Sequence, residues 1–343
     1  MTLPISVLDL ATVGTGQDSA LALRNSLALA RVADELGYRR FWVAEHHNMG
    51  GVASTSPPVL IAHLAAGTRR IRVGSGGVML PNHPALVVAE QFALLEALHP
   101  GRIDLGLGRA PGTDPKTAAA LRRDPQAGSL DDFVGDILDV RALLSARSDQ
   151  DEFAATPFPT SVPEMWVLGS SRSSAVVAAA LGLPYAFANH FSAENTVAAI
   201  SLYRQRYRPS ELWPHPHVLV TSAVIAADTD EQAELIAGPA ALMWAELRRG
   251  VRGPLRSVEE ARGHLWTPLE RELAAERLRT SAVGSPATVT AKLAELVAAT
   301  GADELMVTMQ THALADRVRT LELLSQTSLF AGGSRLSAAV RSS

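Results

Sequence analysis

The feature that most limits how this chain can fold is a regular alternation between short β-like runs and longer helical patterns. It repeats eight times along the 343 residues. Such alternation is typical of consecutive βα units around a parallel sheet, and eight units close into a TIM (β/α)8 barrel. The predicted strands are residues 5–10, 40–44, 71–76, 102–108, 165–169, 185–188, 218–225 and 304–308.

Helical patterns follow the predicted strands, over residues 20–36, 57–66, 84–98, 131–144, 173–181, 194–208, 286–299 and 313–325. Because a bare barrel takes about 250 residues, the surplus must lie in insertions. Three segments can hold it, namely 110–130 after strand four, 145–163 before strand five and 227–282 after strand seven. Insertions after the carboxyl end of a strand cover the active face of a barrel, so the first and third are predicted lids. We expect one domain over residues 1–330 and a C-terminal tail over 331–343.

Composition and charge exclude several classes of protein. Hydrophobic residues make up 47% and charged residues 19% of the chain, an ordinary globular balance that argues against disorder. The net charge of −4 and the lack of long like-charge runs argue against a nucleic-acid partner. The chain has no cysteine, which excludes disulfides and thiolate chemistry. Neither a signal-peptide pattern nor an apolar run of membrane-spanning length is present, so we expect a cytoplasmic protein without a membrane partner.

A charged cluster directly follows the second predicted strand, at the end where the reacting groups of a barrel lie. Glu45, His46 and His47 are consecutive, and because side chains alternate along a strand, either His46 or the Glu45/His47 pair faces the site. Histidine can act as a base near neutral pH, so whichever histidine of this cluster faces the site, His46 or His47, is a candidate catalytic residue. The alternative is a rim histidine that only satisfies loop carbonyls. No second cluster supplies further ligands at this face, so no metal site is predicted.

Small, basic and hydroxyl residues follow strands three, four and five. Gly76 and Gly77 remove side-chain bulk where a flat ring could lie against the backbone, although a simple turn would also explain them. Arg109 is suited to capturing a phosphate, and the serines within 170–174 open a helix whose N-terminus favours an anion. Since adjacent strands carry these two groups, they predict a site for a phosphate-bearing mononucleotide. No G-x-G-x-x-G segment links a strand to a helix, which argues against a dinucleotide.

Taken in order along the chain, these motifs resemble those of the bacterial luciferase-like flavin-dependent monooxygenases. The matching segments are FWVAEHH (41–47), VGSGGVMLPNHP (73–84), LEALHPGRIDLGLGRAPGTD (95–114), VLGSSRSSAVVAAALGLPYAFANHF (167–191) and GADELMV (301–307). GRAPGTD and LGSS are similar to those of the group 1 luciferase-family oxidoreductases, which include an epoxidase of polyketide tailoring. The resemblance implies a luciferase-like TIM barrel that binds reduced FMN from a separate flavin reductase, and a homodimer formed through outer helices two and three.

The resemblance also implies roles for individual residues. His46 matches the active-site histidine of the family. The positions that match cofactor contacts, or lie beside them, are Gly76, Gly77, Arg109, Ser170, Ser171 and Ser174. The two glycines match a pair joined by a non-prolyl cis peptide beside the flavin ring, and the arginine and serines match the phosphate site. This chain has Gly108 and Ser170 where luciferase has a reactive cysteine and a glutamate, so light emission and a long-chain aldehyde substrate are not implied.

We therefore predict a two-component monooxygenase that uses reduced FMN and molecular oxygen to hydroxylate or epoxidise an apolar organic substrate, such as a polyketide or another secondary metabolite. Aromatic residues make up only 5% of the chain, which favours a mainly aliphatic substrate pocket. Its candidate residues are Glu45, Met79, Leu80, His190 and Phe191. Two alternatives stay open, a barrel that uses the deazaflavin F420 for hydride transfer and a non-catalytic flavin-binding protein. A metal-dependent hydrolase is disfavoured by the lack of ligands.

Overall fold

Eight parallel strands form a closed barrel at the centre of the protein, as the sequence predicts. The computed structural model describes residues 2–110, 112–121, 129–145 and 153–330. The strands are β1 (Ile5–Asp9), β2 (Arg40–Val43), β3 (Arg72–Met79), β4 (Ile103–Gly108), β5 (Glu164–Gly169), β6 (Tyr185–Phe187), β7 (Val218–Ala226), β8 (Ala282–Gly284) and β9 (Glu304–Thr308). Each of β1 to β6 pairs with the strand that follows it, and β9 joins β7 to β1 and closes the ring. The short strand β8 pairs with the carboxyl end of β7, outside the barrel.

The predicted strand bounds agree with the structure to within one residue at every end except one. Strand β3 runs on to Met79, past the predicted end at Gly76. Its register against β4 shifts between Gly76 and Val78, so the strand continues beyond an irregularity in its glycine run.

Helices surround the barrel and bury their apolar sides against it. The helices in the described residues are α1 (Ser19–Leu36), α2 (Pro57–Gly67), α3 (Ala85–Leu98), α4 (Pro115–Leu121), α5 (Leu130–Ser145), α6 (Arg172–Leu181), α7 (Thr196–Arg206), α8 (Asp230–Arg248), α9 (Val258–Gly263), α10 (Pro268–Arg279), α11 (Pro286–Thr300) and α12 (Leu314–Ser325). In α1, Leu29, Ala30 and Ala33 are fully buried at the spacing of one helix face. Among the described residues, none of the helices combines the length and the apolar character needed to cross a membrane.

The remaining elements belong to the two predicted lids. Helix α4 follows β4, and the segment after β7 contains α8, α9, α10 and β8. Both insertions leave the barrel at the carboxyl ends of strands, so they lie at the face where barrels carry their sites. The predicted tail at 331–343, and residues 111, 122–128 and 146–152 of the predicted insertions, fall outside the described residues.

The barrel interior is filled by a charged network at its amino-terminal end. The guanidinium of Arg40, on β2, lies 2.9 Å from Asp104 Oδ2, 2.9 Å from Glu164 Oε1 and 3.1 Å from Glu304 Oε1. Burial lowers the pKa of Arg40, but the three carboxylates outweigh burial and raise the pKa above its ordinary value. The Trp166 ring packs over this guanidinium, with its centroid 4.6 Å from Cζ. Since this end of the barrel is filled, a ligand has access from the carboxyl end.

Candidate active site

His46 follows β2 at the carboxyl end of the barrel, on the same side of the chain as the interior residue Trp42. Its Nδ1 is buried and has no hydrogen-bond partner within the described part of the chain. Burial lowers the pKa of His46 below its ordinary 6.5, although the nearby carboxylate of Glu45 opposes the shift. The ring is therefore neutral at pH 7 and has a nitrogen without a hydrogen-bond partner. It lies at the opening of the barrel formed by the carboxyl ends of the strands, which we call the mouth.

Glu45 points the other way and organises the loops around the mouth. Its carboxylate is approached by His47 Nε2 at 2.8 Å, His83 Nε2 at 2.9 Å, the Met79 backbone N–H at 3.0 Å and Asn82 Nδ2 at 3.1 Å. Burial raises the pKa of Glu45, but these hydrogen bonds outweigh burial and lower the pKa. Although the sequence suggests Glu45 as a pocket residue, the structure buries it to 1% exposure beneath the mouth. Its bond to His47 places that pair on one side and leaves His46 on the other.

His190 follows β6 and lies near His46. Its backbone N–H donates to the Thr221 carbonyl at 3.1 Å, and its Nδ1, like that of His46, is buried without a partner among the described residues. Burial is the main cause that lowers the pKa of His190 to about 3, with smaller contributions from the charges of Arg277 and His46. The mouth of the barrel thus brings together two neutral imidazoles, each with an unpartnered nitrogen.

The low pKa of His190 predicts a loss of stability in acid. The unfolded chain takes up this proton near the ordinary 6.5 and the folded protein only near 3, so the free energy of unfolding falls as pH drops through that window. One such group contributes about 1 kcal/mol per pH unit. Urea unfolding of the parent and of His190→Asn, at about pH 7 and about pH 5, measures this pH dependence. Between these pH values, the free energy of unfolding should fall less in the variant than in the parent. The same change at the exposed His63 should keep the parent's dependence, and equal slopes for the parent and His190→Asn would contradict the shift.

Strands β3 and β4 end in glycines that let their backbones come close together. The peptide bond between Gly76 and Gly77 is cis, as the resemblance implies. A Cβ on Gly77 would lie 2.7 Å from the carbonyl oxygen of Gly106, so a larger residue would push the two strands apart. The Met79 side chain packs against Gly108, because a Cβ on Gly108 would lie only 2.9 Å from Met79 Cε. Leu80, suggested as a pocket residue, is fully buried in the core between barrel and helices instead.

The candidate phosphate residues lie at the ends of two neighbouring strands. Arg109 comes directly after β4 and is exposed, and within the described ranges no carboxylate lies within ion-pair distance of it. Strand β5 pairs with β4 and leads into the N-terminus of α6, where the Ser171 side chain caps no backbone N–H. Ser171 Oγ lies 2.9 Å from Ser173 Oγ, and Ser174 Oγ lies 2.9 Å from the Tyr185 hydroxyl. The structure therefore brings Arg109 and the serine turn to adjacent strand ends, without a direct bond between them.

Comparison with known proteins identifies the family. A family model described as luciferase-like monooxygenase matches residues 3–304. The chain belongs to this family. It is 47% identical to YvbT of Bacillus subtilis (strain 168) over 94% of this chain and 95% of YvbT, and 42% identical to a luciferase-like monooxygenase of Escherichia coli (strain K12) over 94% and 96%. The crystal structure of apo-MsnO8 superposes with a TM-score of 0.89 at 39% identity, covering 94% of this chain and 98% of MsnO8.

The long insertion of this luciferase-like monooxygenase adds residues to the mouth that the sequence did not single out. The Trp244 ring, from α8, lies 6.3 Å from the half-exposed Phe191 ring, and its Nε1 is buried without a partner in the described residues. Arg277, from α10, is 6% exposed and donates to the His190 carbonyl at 2.5 Å and to Gln310 Oε1 at 3.3 Å. In the sequence, these residues could be connected with the mouth only through the position of their insertion, which follows the carboxyl end of β7.

Proposed function

We propose that this luciferase-like monooxygenase binds reduced FMN at the mouth of the barrel and uses molecular oxygen to hydroxylate or epoxidise an organic substrate. The observation that carries the proposal is the pair of neutral imidazoles, His46 and His190, whose buried Nδ1 atoms have no partner in the described residues. A buried polar atom without a hydrogen bond is costly, so these atoms are suited to a polar ligand. Reduced FMN, when bound, supplies the electrons that activate oxygen.

The residues at the mouth fit an FMN molecule. Arg109 and the uncapped N-terminus of α6 offer a guanidinium and free backbone N–H groups to the phosphate, with the hydroxyls of Ser170, Ser171 and Ser174 beside them. The glycine-rich ends of β3 and β4, including Gly76 and Gly77, present backbone without side chains to the flat ring system. A Cβ on Gly169 would lie 2.1 Å from Ser174 Oγ, so this glycine makes room for the hydroxyl at the strand end.

In this proposal, the protein contributes proton transfer and exclusion of water. Because His46 is neutral at pH 7, its Nδ1 can exchange a proton with the reacting groups. Glu45 keeps the β2 and β3 loops in place through its hydrogen bonds and so positions His46. Phe191 and Trp244 cover the mouth from the side of the long insertion, which lowers the access of water to the reaction.

Replacing Arg109 by methionine should weaken FMN binding by about ten- to hundredfold, because one charge-assisted hydrogen bond is worth about 1.5–3 kcal/mol. Riboflavin has no phosphate, so its affinity should be unchanged. Quenching of flavin fluorescence measures both affinities. Arg206→Met, at the far end of the exposed side of α7, is the matched control and should bind FMN as the parent does. Equal losses for FMN and riboflavin would show that Arg109 acts on the fold and not on the phosphate.

The whole proposal is tested by titrating the protein with FMN and with F420, and by following oxygen-18 incorporation into a panel of alkenes, ketones and thioethers with a flavin reductase present. We expect FMN to bind and one oxygen atom to enter a product. Tight binding of F420 with none of FMN would support hydride transfer instead. Binding of FMN without oxygenation of any compound in the panel would support a flavin carrier.

We also propose that the protein is a cytoplasmic homodimer that receives its flavin from a separate reductase. Support for the dimer comes from helices α2 and α3, which present large apolar side chains to solvent. These are Val59, Leu86, Val87, Leu94 and Leu98, with exposed fractions between 39% and 71%. Several exposed apolar side chains on two neighbouring helices favour a protein partner there.

A further inference from the structure

Arg277 is a buried cation that the proposed reaction with oxygen does not use. Its side chain extends from α10 into the mouth and is 6% exposed. Within the described ranges, no carboxylate lies within ion-pair distance of its guanidinium. Burial lowers its pKa to about 10, which still leaves it charged at neutral pH. Buried charges are normally paired, so an unpaired one at the mouth of a site calls for an explanation.

The contacts of Arg277 account for only part of its bonding capacity. It donates to the His190 carbonyl and to Gln310 Oε1, and its Cζ lies 5.0 Å from the centroid of the Trp244 ring. A guanidinium has more N–H groups than these two acceptors use, and both acceptors are neutral. The contacts therefore fix the direction of the guanidinium without neutralising its charge.

A small cavity lies against Arg277. Its volume is about 20 Å³, and by the measure in which one water needs about 10–15 Å³ this holds a group the size of one water, such as a single carboxylate oxygen. The other walls are mainly apolar, and Arg277 is the charged residue among the described residues that line it. Arg248 also lies over the Trp244 ring, at 5.8 Å, and adds positive charge on the solvent side.

We propose that Arg277 recognises a carboxylate group of the substrate, so that the substrate class is an organic acid with an apolar chain. This inference rests on the proposed function. Because Arg277 bonds the backbone of His190, and His190 lies near His46, a group bound at Arg277 lies close to both histidines. Arg277 lies on the long insertion and contacts residues that follow β6 and β9, whereas the proposed flavin phosphate site follows β4 and β5. The substrate carboxylate and the flavin phosphate therefore occupy different parts of the mouth.

Isothermal titration calorimetry without flavin tests the proposal, using butanoate, octanoate and dodecanoate with their primary amides as neutral counterparts. We expect the parent to bind at least one acid about ten- to hundredfold more tightly than its amide, the range for a charge-assisted hydrogen bond. Arg277→Gln should abolish that preference and Arg277→Lys should keep part of it. The control Arg279→Gln, an exposed residue at the end of α10, should behave as the parent.

Three results would overturn the proposal. They are equal binding of acid and amide at every chain length, no binding of either, and an acid preference that survives in Arg277→Gln. A second measurement, the FMN affinity of Arg277→Gln, separates a substrate-binding role from a flavin-binding one. We expect this affinity to equal that of the parent, and a tenfold loss would assign the guanidinium to the flavin. None of these results depends on oxygenation, so they can fail while the proposed function stands.

Discussion

Replacing Arg40 by methionine is expected to lower the free energy of unfolding by about 3–5 kcal/mol, the cost of removing one partner from a buried ion network. Methionine fills a similar volume with an apolar chain, so the loss comes from the charges it leaves behind. The buried Glu304 would lose the guanidinium that lies 3.1 Å away, whereas Asp104 would keep the hydrogen bonds that Arg72 and Trp42 donate to it. Urea unfolding followed by circular dichroism measures the loss.

The dependence of this loss on pH identifies its cause. In the parent, burial raises the pKa of Glu304 and the charge of Arg40 lowers it, so without Arg40 this carboxylate takes up a proton at a higher pH and loses its unpaired charge as pH falls. The difference in stability between parent and variant should therefore shrink from about pH 7 to about pH 5. Arg70→Met is the matched control, because Arg70 is mostly exposed and lies 4.0 Å from Asp34, and it should cost less than about 1 kcal/mol. A loss that stays constant with pH would mean that packing, and not charge, is responsible.

The barrel could be predicted from the sequence because its strands are short apolar runs between clear helical patterns. Strand β7, for example, is buried along its whole length and reads as a continuous run of small and β-branched residues. The bounds of β9 were predicted to the residue. Strand β8, by contrast, has only three residues, too few for a hydrophobic pattern, so its pairing with β7 could not be predicted from the sequence.

The insertion after β7 shows why other features could not be predicted. Helix α10 buries Glu270, Ala274 and Arg277, so two of its three buried residues are charged. A hydrophobic pattern locates the buried face of a helix only where that face is apolar. The sequence therefore gave the place of the insertion but neither the helix nor the inward direction of Arg277.

The same limit applies inside the barrel. Arg40 and Glu304 are 264 residues apart in the chain and meet because β9 and β2 both pair with β1. Neither residue has a local pattern that separates it from a solvated charge. For the charged cluster after β2, alternation along the strand predicted that either His46 or the Glu45/His47 pair faces the barrel interior. In the structure, the hydrogen bond between Glu45 and His47 places these two on one side and His46 on the other. For the residues after the barrel strands, the sequence thus predicted that they lie at the mouth, but it did not predict the direction in which each side chain points.

His46→Asn is expected to lower the turnover number by about a hundred- to ten-thousandfold, the usual contribution of a general acid or base. Asparagine keeps a polar side chain of similar reach but cannot exchange a proton near neutral pH, so binding should change little while the reaction slows. The measurement is the rate of oxygen-18 incorporation into the product with a flavin reductase present, together with the FMN affinity of each protein. His215→Asn is the control, because His215 is exposed and precedes β7 at the opposite end of the barrel.

The pH profile distinguishes a proton-transfer role for His46 from a structural one. Since burial lowers the pKa of His46 below 6.5, the parent should keep its activity on the acid side of that value and lose it only as the ring becomes protonated. The variant has no such group, so its residual activity should lack this acid limb. An unchanged turnover number in His46→Asn, or an acid limb that persists in the variant, would remove His46 from the reaction.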